Sequence, residues 1–156
     1  MEHKVRVIQP EMLMPQLPQL LQETESIPLL ISGNSMVPFL RHGRDIVYLS
    51  KITEPPKKGD MILYQRSNGS YILHRIYKEQ DGIYQLVGDG QWGLEPGIRP
   101  EQILATVTAV RRKKKLLRKG SFLWEFFAHI WLALLPLRPV ICRLCGWLTT
   151  WRRKND

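Results

Sequence analysis

From residue 27 onward, apolar positions come in short runs separated by glycine, proline, asparagine and aspartate. Runs at 27–31, 45–50, 61–66, 71–78, 83–87 and 104–110 are rich in Ile, Val, Leu and Tyr and predict strands. Asn68-Gly69 and Asp81-Gly82 fall between such runs. Both dipeptides tolerate positive φ, so they predict hairpin turns. Connections at 55–60 and 88–100 are longer and rich in Gly and Pro, which marks them as the two working loops. A helix is expected near 16–24 and a single turn at 100–103. The fold class that follows is mainly β, a coiled antiparallel sheet with a helical appendage.

Past residue 110 the pattern changes. Residues 122–135 and 140–151 are apolar pieces separated by Pro136 and Pro139, each shorter than the roughly 20 residues a spanning helix needs. Ser121, Glu125 and His129 form a narrow polar stripe on the first piece. Basic runs flank both pieces, "RRKKKLLRK" before and "RRK" after, and the tryptophans at 124, 131, 147 and 151 fit the interfacial zone of a membrane. Residues 111–156 hold 12 Lys/Arg against 2 Asp/Glu, whereas residues 1–110 hold 11 against 12, so the net charge of +9 belongs to the tail. Such a block suits anionic lipid or nucleic acid better than an enzyme pocket, and the adjacent Trp- and Leu-rich pieces favour lipid. Positive charge at both ends favours in-plane helices or a re-entrant hairpin, with a single tilted pass as the alternative and packing on the body as another.

Three domains are therefore expected: an N-terminal segment at 1–26 broken by Pro10, Pro15 and Pro18, a body at 27–110, and a basic, membrane-interacting tail at 111–156. No secretory signal or N-terminal spanning helix is read in the opening residues. The two cysteines, Cys142 and Cys145, have no second ligand pair to accompany them, so neither a disulfide scaffold nor a metal site is expected. No cofactor is called for.

The candidate chemistry lies in three short stretches of the body. In "ISGNSMVPFL", Ser35 sits on a glycine-containing turn stiffened by Pro38, the open and rigid setting a nucleophilic serine requires. In "YILHRIY", alternation puts His74 on the face of Ile72 and Ile76, where an imidazole would be held still; a hydrogen-bonded core histidine reads the same way. In "LVGDGQWGLEPG", Asp89 follows a strand between two glycines and could orient that imidazole, or form an Asx-turn.

Taken in order, "SGNSMVP", "KKGDMILY", "LHRI" and "VGDG" resemble the boxes of the serine peptidase superfamily of type I signal peptidases and self-cleaving repressors, over residues 27–110. Histidine at the base position resembles the endoplasmic-reticulum type. The resemblance implies a peptidase body of the signal-peptidase type and a serine endopeptidase acting on a precursor or leader peptide. It implies Ser35 as nucleophile, His74 as general base, Asp89 as orienting acid with Glu95 as rival, and the Ser35 backbone N–H as an oxyanion donor. Gly33 stands where many members carry a second donor, a serine hydroxyl, so that donor is not assigned. Gly59 and Asp60 would serve a turn, and Met36 and Pro38 would shape a cleft for small side chains. An ordinary histidine, with a pKa of roughly 6.5, needs no large perturbation to act as base at neutral pH.

The expected partners are a peptide or precursor protein and membrane lipid through residues 111–156. Nucleic acid is not expected: a repressor would carry an N-terminal helix-turn-helix that 26 proline-broken residues cannot build. The expected location is the membrane, at its cytoplasmic face. A non-catalytic peptide-binding module and a self-cleaving regulator are the alternatives.

Overall fold

The computed structural model describes residues 10–145. Two short helices, α1 (Pro10–Leu13) and α2 (Leu17–Glu23), joined by a 3-10 turn, precede eight strands. These are β1 (Ile27–Leu30), β2 (Ile46–Ser50), β3 (Met61–Gln65), β4 (Tyr71–Gln80), β5 (Ile83–Val87), β6 (Glu95–Ile98), β7 (Ile103–Arg112) and β8 (Lys115–Arg118). They form one antiparallel sheet in the order β1-β2-β7-β3-β4-β5-β6, with β8 paired to β7. The protein is mainly β.

The central strand β3 explains how the sheet carries two cores. Met61 and Leu63 point into one cluster with Leu17, Leu49, Val107, Phe39 and Trp124, while Ile62 and Tyr64 point into a second with Ile76, Tyr84, Leu86 and Ile98. A strand buried on both faces cannot alternate apolar with polar, which is why 61–64 reads as a continuous apolar run. Irregular register between β2 and β7, β3 and β7, β4 and β5, and β5 and β6 strengthens the twist and lets the sheet curl over both clusters.

Both anticipated hairpin turns form. Asp81 and Gly82 adopt φ of 54° and 77°, and Gly69 adopts 87°. Two strands escaped the sequence reading. β6 lies inside the 88–100 connection, since "EPGI" carries too little β character to announce itself. β8 lies inside the basic run, which is the outer end of β7, a turn at Lys113 and the returning strand. The tail boundary at 111 is therefore displaced: residues 111–118 belong to the sheet.

After β8 the chain enters α3 (Phe122–Glu125), which runs on as a π-helical stretch (Phe126–Trp131), and then, after a bend of 77°, α4 (Leu135–Cys145). Taken together these pieces are apolar enough for a broken span, and no single helix is long and apolar enough to cross a membrane among the described residues. Much of their apolar surface is turned inward. Trp124, Phe127 and Ala128 join the main core, with Phe127 4.9 Å from the ring of Phe39, and Leu132 and Leu135 pack on Val87. Gly59 admits this approach: a Cβ there would stand 2.9 Å from the Ala128 carbonyl oxygen. Trp124 is thus a core residue and not an interfacial one, while Trp147 and Trp151 lie outside the described residues.

Phe127→Ala should lower folding stability by about 3–5 kcal/mol in urea denaturation, as for a large buried ring, while Phe122→Ala, whose side chain is 86% exposed, should stay within about 0.5 kcal/mol. Equal, small effects would show that the helix does not belong to the core.

Candidate active site

Ser35 sits in the turn between β1 and β2, intermediate in exposure. Gly33 adopts φ of 88° and its N–H donates to Nδ1 of His42 at 3.0 Å, which shapes the turn and occupies that donor. On its other side the turn rests on the loop that follows β5. The Gly90 N–H donates to the Ser35 carbonyl at 2.8 Å. Side chains have no room here: a Cβ on Gly88 would lie 2.3 Å from the Ser35 oxygen, and one on Gly90 2.6 Å from the Val37 oxygen. The "GDG" glycines are thus required by close backbone contact with the serine turn.

His74 lies on β4 and is 3% exposed. Its Nδ1 is 3.1 Å from the Tyr64 hydroxyl, and that hydroxyl donates to Glu95 Oε2 at 2.5 Å. A phenol has one proton. Because Tyr64 spends it on Glu95, its oxygen can only accept from the imidazole, so Nδ1 carries the proton and Nε2 keeps its lone pair. Glu95 also receives both Nε and Nη2 of Arg66, the latter at 2.7 Å, and its nearer oxygen is 3.6 Å from His74 Nδ1. These bonds hold the Glu95 carboxyl below its usual range despite the desolvation that opposes them. Burial raises the Tyr64 hydroxyl well above its ordinary value, and the Glu95 charge adds to that.

Asp89 does something else. Both its oxygens are taken by Arg75, at 3.0 Å to Nε and 2.9 Å to Nη2, and both residues are fully buried. Arg75 further donates to the Gly59 carbonyl at 2.8 Å and lies over the Phe39 ring. The expectation that Asp89 orients His74 is therefore corrected. Alternation on β4 sends His74 and Arg75 to opposite faces, so the acid paired with one cannot serve the other. Glu95, the rival, holds the imidazole side through Tyr64. Tyr64, on β3, and Arg66, just after it, were missed because they lie 31 and 29 residues before Glu95; the β3–β4 register brings Tyr64 to His74, and the fold brings both to Glu95. Asp60 serves its turn as expected, accepting from the Lys57 N–H at 2.8 Å.

Ser35 lines one cleft, and its neighbour Asn34 lines a second. A small one of about 80 Å³ is lined by Ile31, Gly33, Ser35, Met36, Ile72 and Leu73; Ile72 lies on the His74 face of β4. A larger one of about 820 Å³ runs between Asn34, Val37 and Pro38 on one side and Trp131, Ile141 and Cys142 on the other. Ser35 Oγ and His74 are not hydrogen-bonded to each other, and the Ser35 N–H donates to no backbone acceptor among the described residues. No cluster of metal-ligating side chains occurs among the described residues. Compared with models of protein families, with curated proteins and with solved structures, the chain matches none of them.

Burial brings the His74 pKa down to about 4, with Glu95 pulling it up and Arg66 down. The ordinary value expected from the sequence is corrected accordingly: an imidazolium is poorly solvated in this setting. The unfolded chain takes up this proton near pH 6.5 and the folded one only near 4, so the neutral imidazole's contribution is complete above 6.5 and is lost as pH falls from 6.5 through 4. At full extent it is on the order of 3 kcal/mol. Urea denaturation across that window should show a steeper loss of stability in wild type than in His74→Gln; parallel curves would contradict the assignment.

Asp89→Ala should remove about 3–5 kcal/mol of stability by leaving Arg75 buried and unpaired. Wild-type stability in this variant would show that the pair contributes little.

Proposed function

We propose that this chain is a serine endopeptidase of the signal-peptidase type that cleaves a precursor or leader peptide at a membrane surface. The observation that carries the reading is the His74–Tyr64–Glu95 chain, which leaves His74 Nε2 as a proton acceptor at neutral pH on the strand whose residues 71–73 line the same cleft as Ser35. An unoccupied site is often looser than the reacting complex, and the serine–imidazole contact would close when a peptide is bound.

In the proposed reaction Ser35 Oγ attacks the scissile carbonyl carbon as its proton passes to His74 Nε2. The oxyanion accepts a hydrogen bond from the Ser35 N–H. The imidazolium then gives its proton to the leaving amine as the C–N bond breaks, leaving an acyl-enzyme. Water attacks that ester with its proton going to Nε2, and return of the proton to Ser35 Oγ frees the acid product. The relay through Tyr64 to the ionised Glu95 stabilises each imidazolium. The 80 Å³ cleft restricts the residue beside the cut to a small side chain, and the larger cleft accommodates a bulkier apolar one.

The membrane part of the reading is supported by exposed apolar side chains. Leu137, Val140 and Leu144, spaced at helical intervals along one side of α4, stand 53–57% exposed, and Phe122 and Ile130 are exposed on the preceding segment. With the basic residues around β8, they suit an anionic bilayer. The cytoplasmic face follows from the positive charge of the tail.

The test is mass-spectrometric profiling of a diverse peptide library with lipid-reconstituted protein across about pH 3.5–9. Cleavage should vanish in Ser35→Ala and His74→Ala and fall roughly 10²-fold in Tyr64→Phe, in line with general-base contributions. Its acid limb should centre near the His74 pKa of about 4. Cleavage that survives Ser35→Ala would overturn Ser35 as the nucleophile, and no cleavage by folded protein would favour a peptide-binding module.

A further inference from the structure

The cation at Arg138 is unusual in its setting. It lies on α4 at 1% exposure, yet no carboxylate stands within ion-pair distance among the described residues. Nη1 donates to the carbonyls of Gly88 at 2.9 Å and Gln91 at 2.7 Å, and Nη2 to that of Trp131 at 3.1 Å, while Nε has no partner. The guanidinium stacks over the Trp131 ring at 5.1 Å, and Trp131 Nε1 donates to the Asp89 carbonyl at 2.8 Å. Burying a guanidinium without a counter-ion is unfavourable by several kcal/mol, so stability alone is a poor reason for it. What the arrangement achieves is a grip on three carbonyls of one loop, those of residues 88, 89 and 91. That loop carries Gly90, whose N–H holds the Ser35 carbonyl, and Asp89, which fixes Arg75 beside His74.

We propose that Arg138 and Trp131 are positioning residues that clamp the 88–91 loop against the serine turn, making the C-terminal helices part of the active site. Neither touches the reacting atoms. Trp131 ties down the centre of the loop and Arg138 its two ends, and the loop transmits that position to Ser35 through a contact too close for a side chain. The catalytic consequence rests on the peptidase reading; the clamp itself does not.

The experiment uses the full chain in lipid nanodiscs and compares wild type with Trp131→Phe and Arg138→Lys, with Met12→Ala as an exposed control. Amide hydrogen exchange at Gly90 reports the loop–serine contact whatever the protein's activity. In Trp131→Phe, which keeps a six-membered aromatic ring and loses the indole N–H, Gly90 exchange should accelerate at least roughly tenfold while exchange in β3 and β7 stays at wild-type rates. Arg138→Lys should do the same, because one ammonium cannot span two carbonyls and a third. On a peptide selected by the library, kcat should fall roughly tenfold with KM within about twofold, the signature of a misplaced nucleophile. Unchanged Gly90 exchange in both variants would overturn the clamp. Accelerated exchange with no cleavage by any protein, wild type included, would uphold the clamp and remove the peptidase reading.

Discussion

The interaction on which the site depends is the buried pair between Arg75 and Asp89. A guanidinium and a carboxylate with no access to water must satisfy each other, and the bidentate geometry permits little variation. Arg75 spends its remaining Nη1 on the Gly59 carbonyl and its face on Phe39. Four separate pieces of chain are thereby brought to one point: the middle of β4, the loop after β5, the turn before β3 and the serine turn. The pair need not add net stability to do this. Its effect is to allow one arrangement of those pieces and penalise the others.

The neighbouring position on β4 follows a different logic. His74 points to the opposite face, where Tyr64 and Glu95 determine its tautomer and burial keeps it neutral. Two adjacent residues thus divide the work, the arginine anchoring the loops and the histidine holding a lone pair ready. The strand's twofold period keeps the two networks from exchanging partners. Arg66 completes the histidine side by keeping Glu95 ionised, at the cost of partly cancelling the negative charge an imidazolium would feel.

The C-terminal segment combines two environments. Trp124, Phe127, Leu132 and Leu135 face the body, and Leu137, Val140 and Leu144 face away from it. Apolar composition alone cannot separate these, since the interior of a protein and of a bilayer select the same side chains. The polar stripe at Ser121, Glu125 and His129 was legible, and two of its members form a local network: Glu125 accepts from the Gly120 N–H and pairs with His129, while the Ser121 hydroxyl has no partner among the described residues. That network caps the helix start and says nothing about what covers its other sides.

Local signals in the sequence determined the strands with strong β character, the two hairpin turns and the stretches around Ser35, His74 and Gly88 to Gly90, because alternation, positive-φ dipeptides and short glycine-containing motifs are properties of neighbours along the chain. Which acid belongs to which base was decided only by tertiary structure. Asp89 and Glu95 lie six residues apart on the same connection, and nothing local distinguishes them. Tyr64 on β3 and Arg66 just after it reach one, and Arg75, on the face of β4 opposite His74, reaches the other. The grip of Trp131 and Arg138 on the loop was equally invisible, since it joins positions more than 40 residues apart through backbone carbonyls that every sequence possesses.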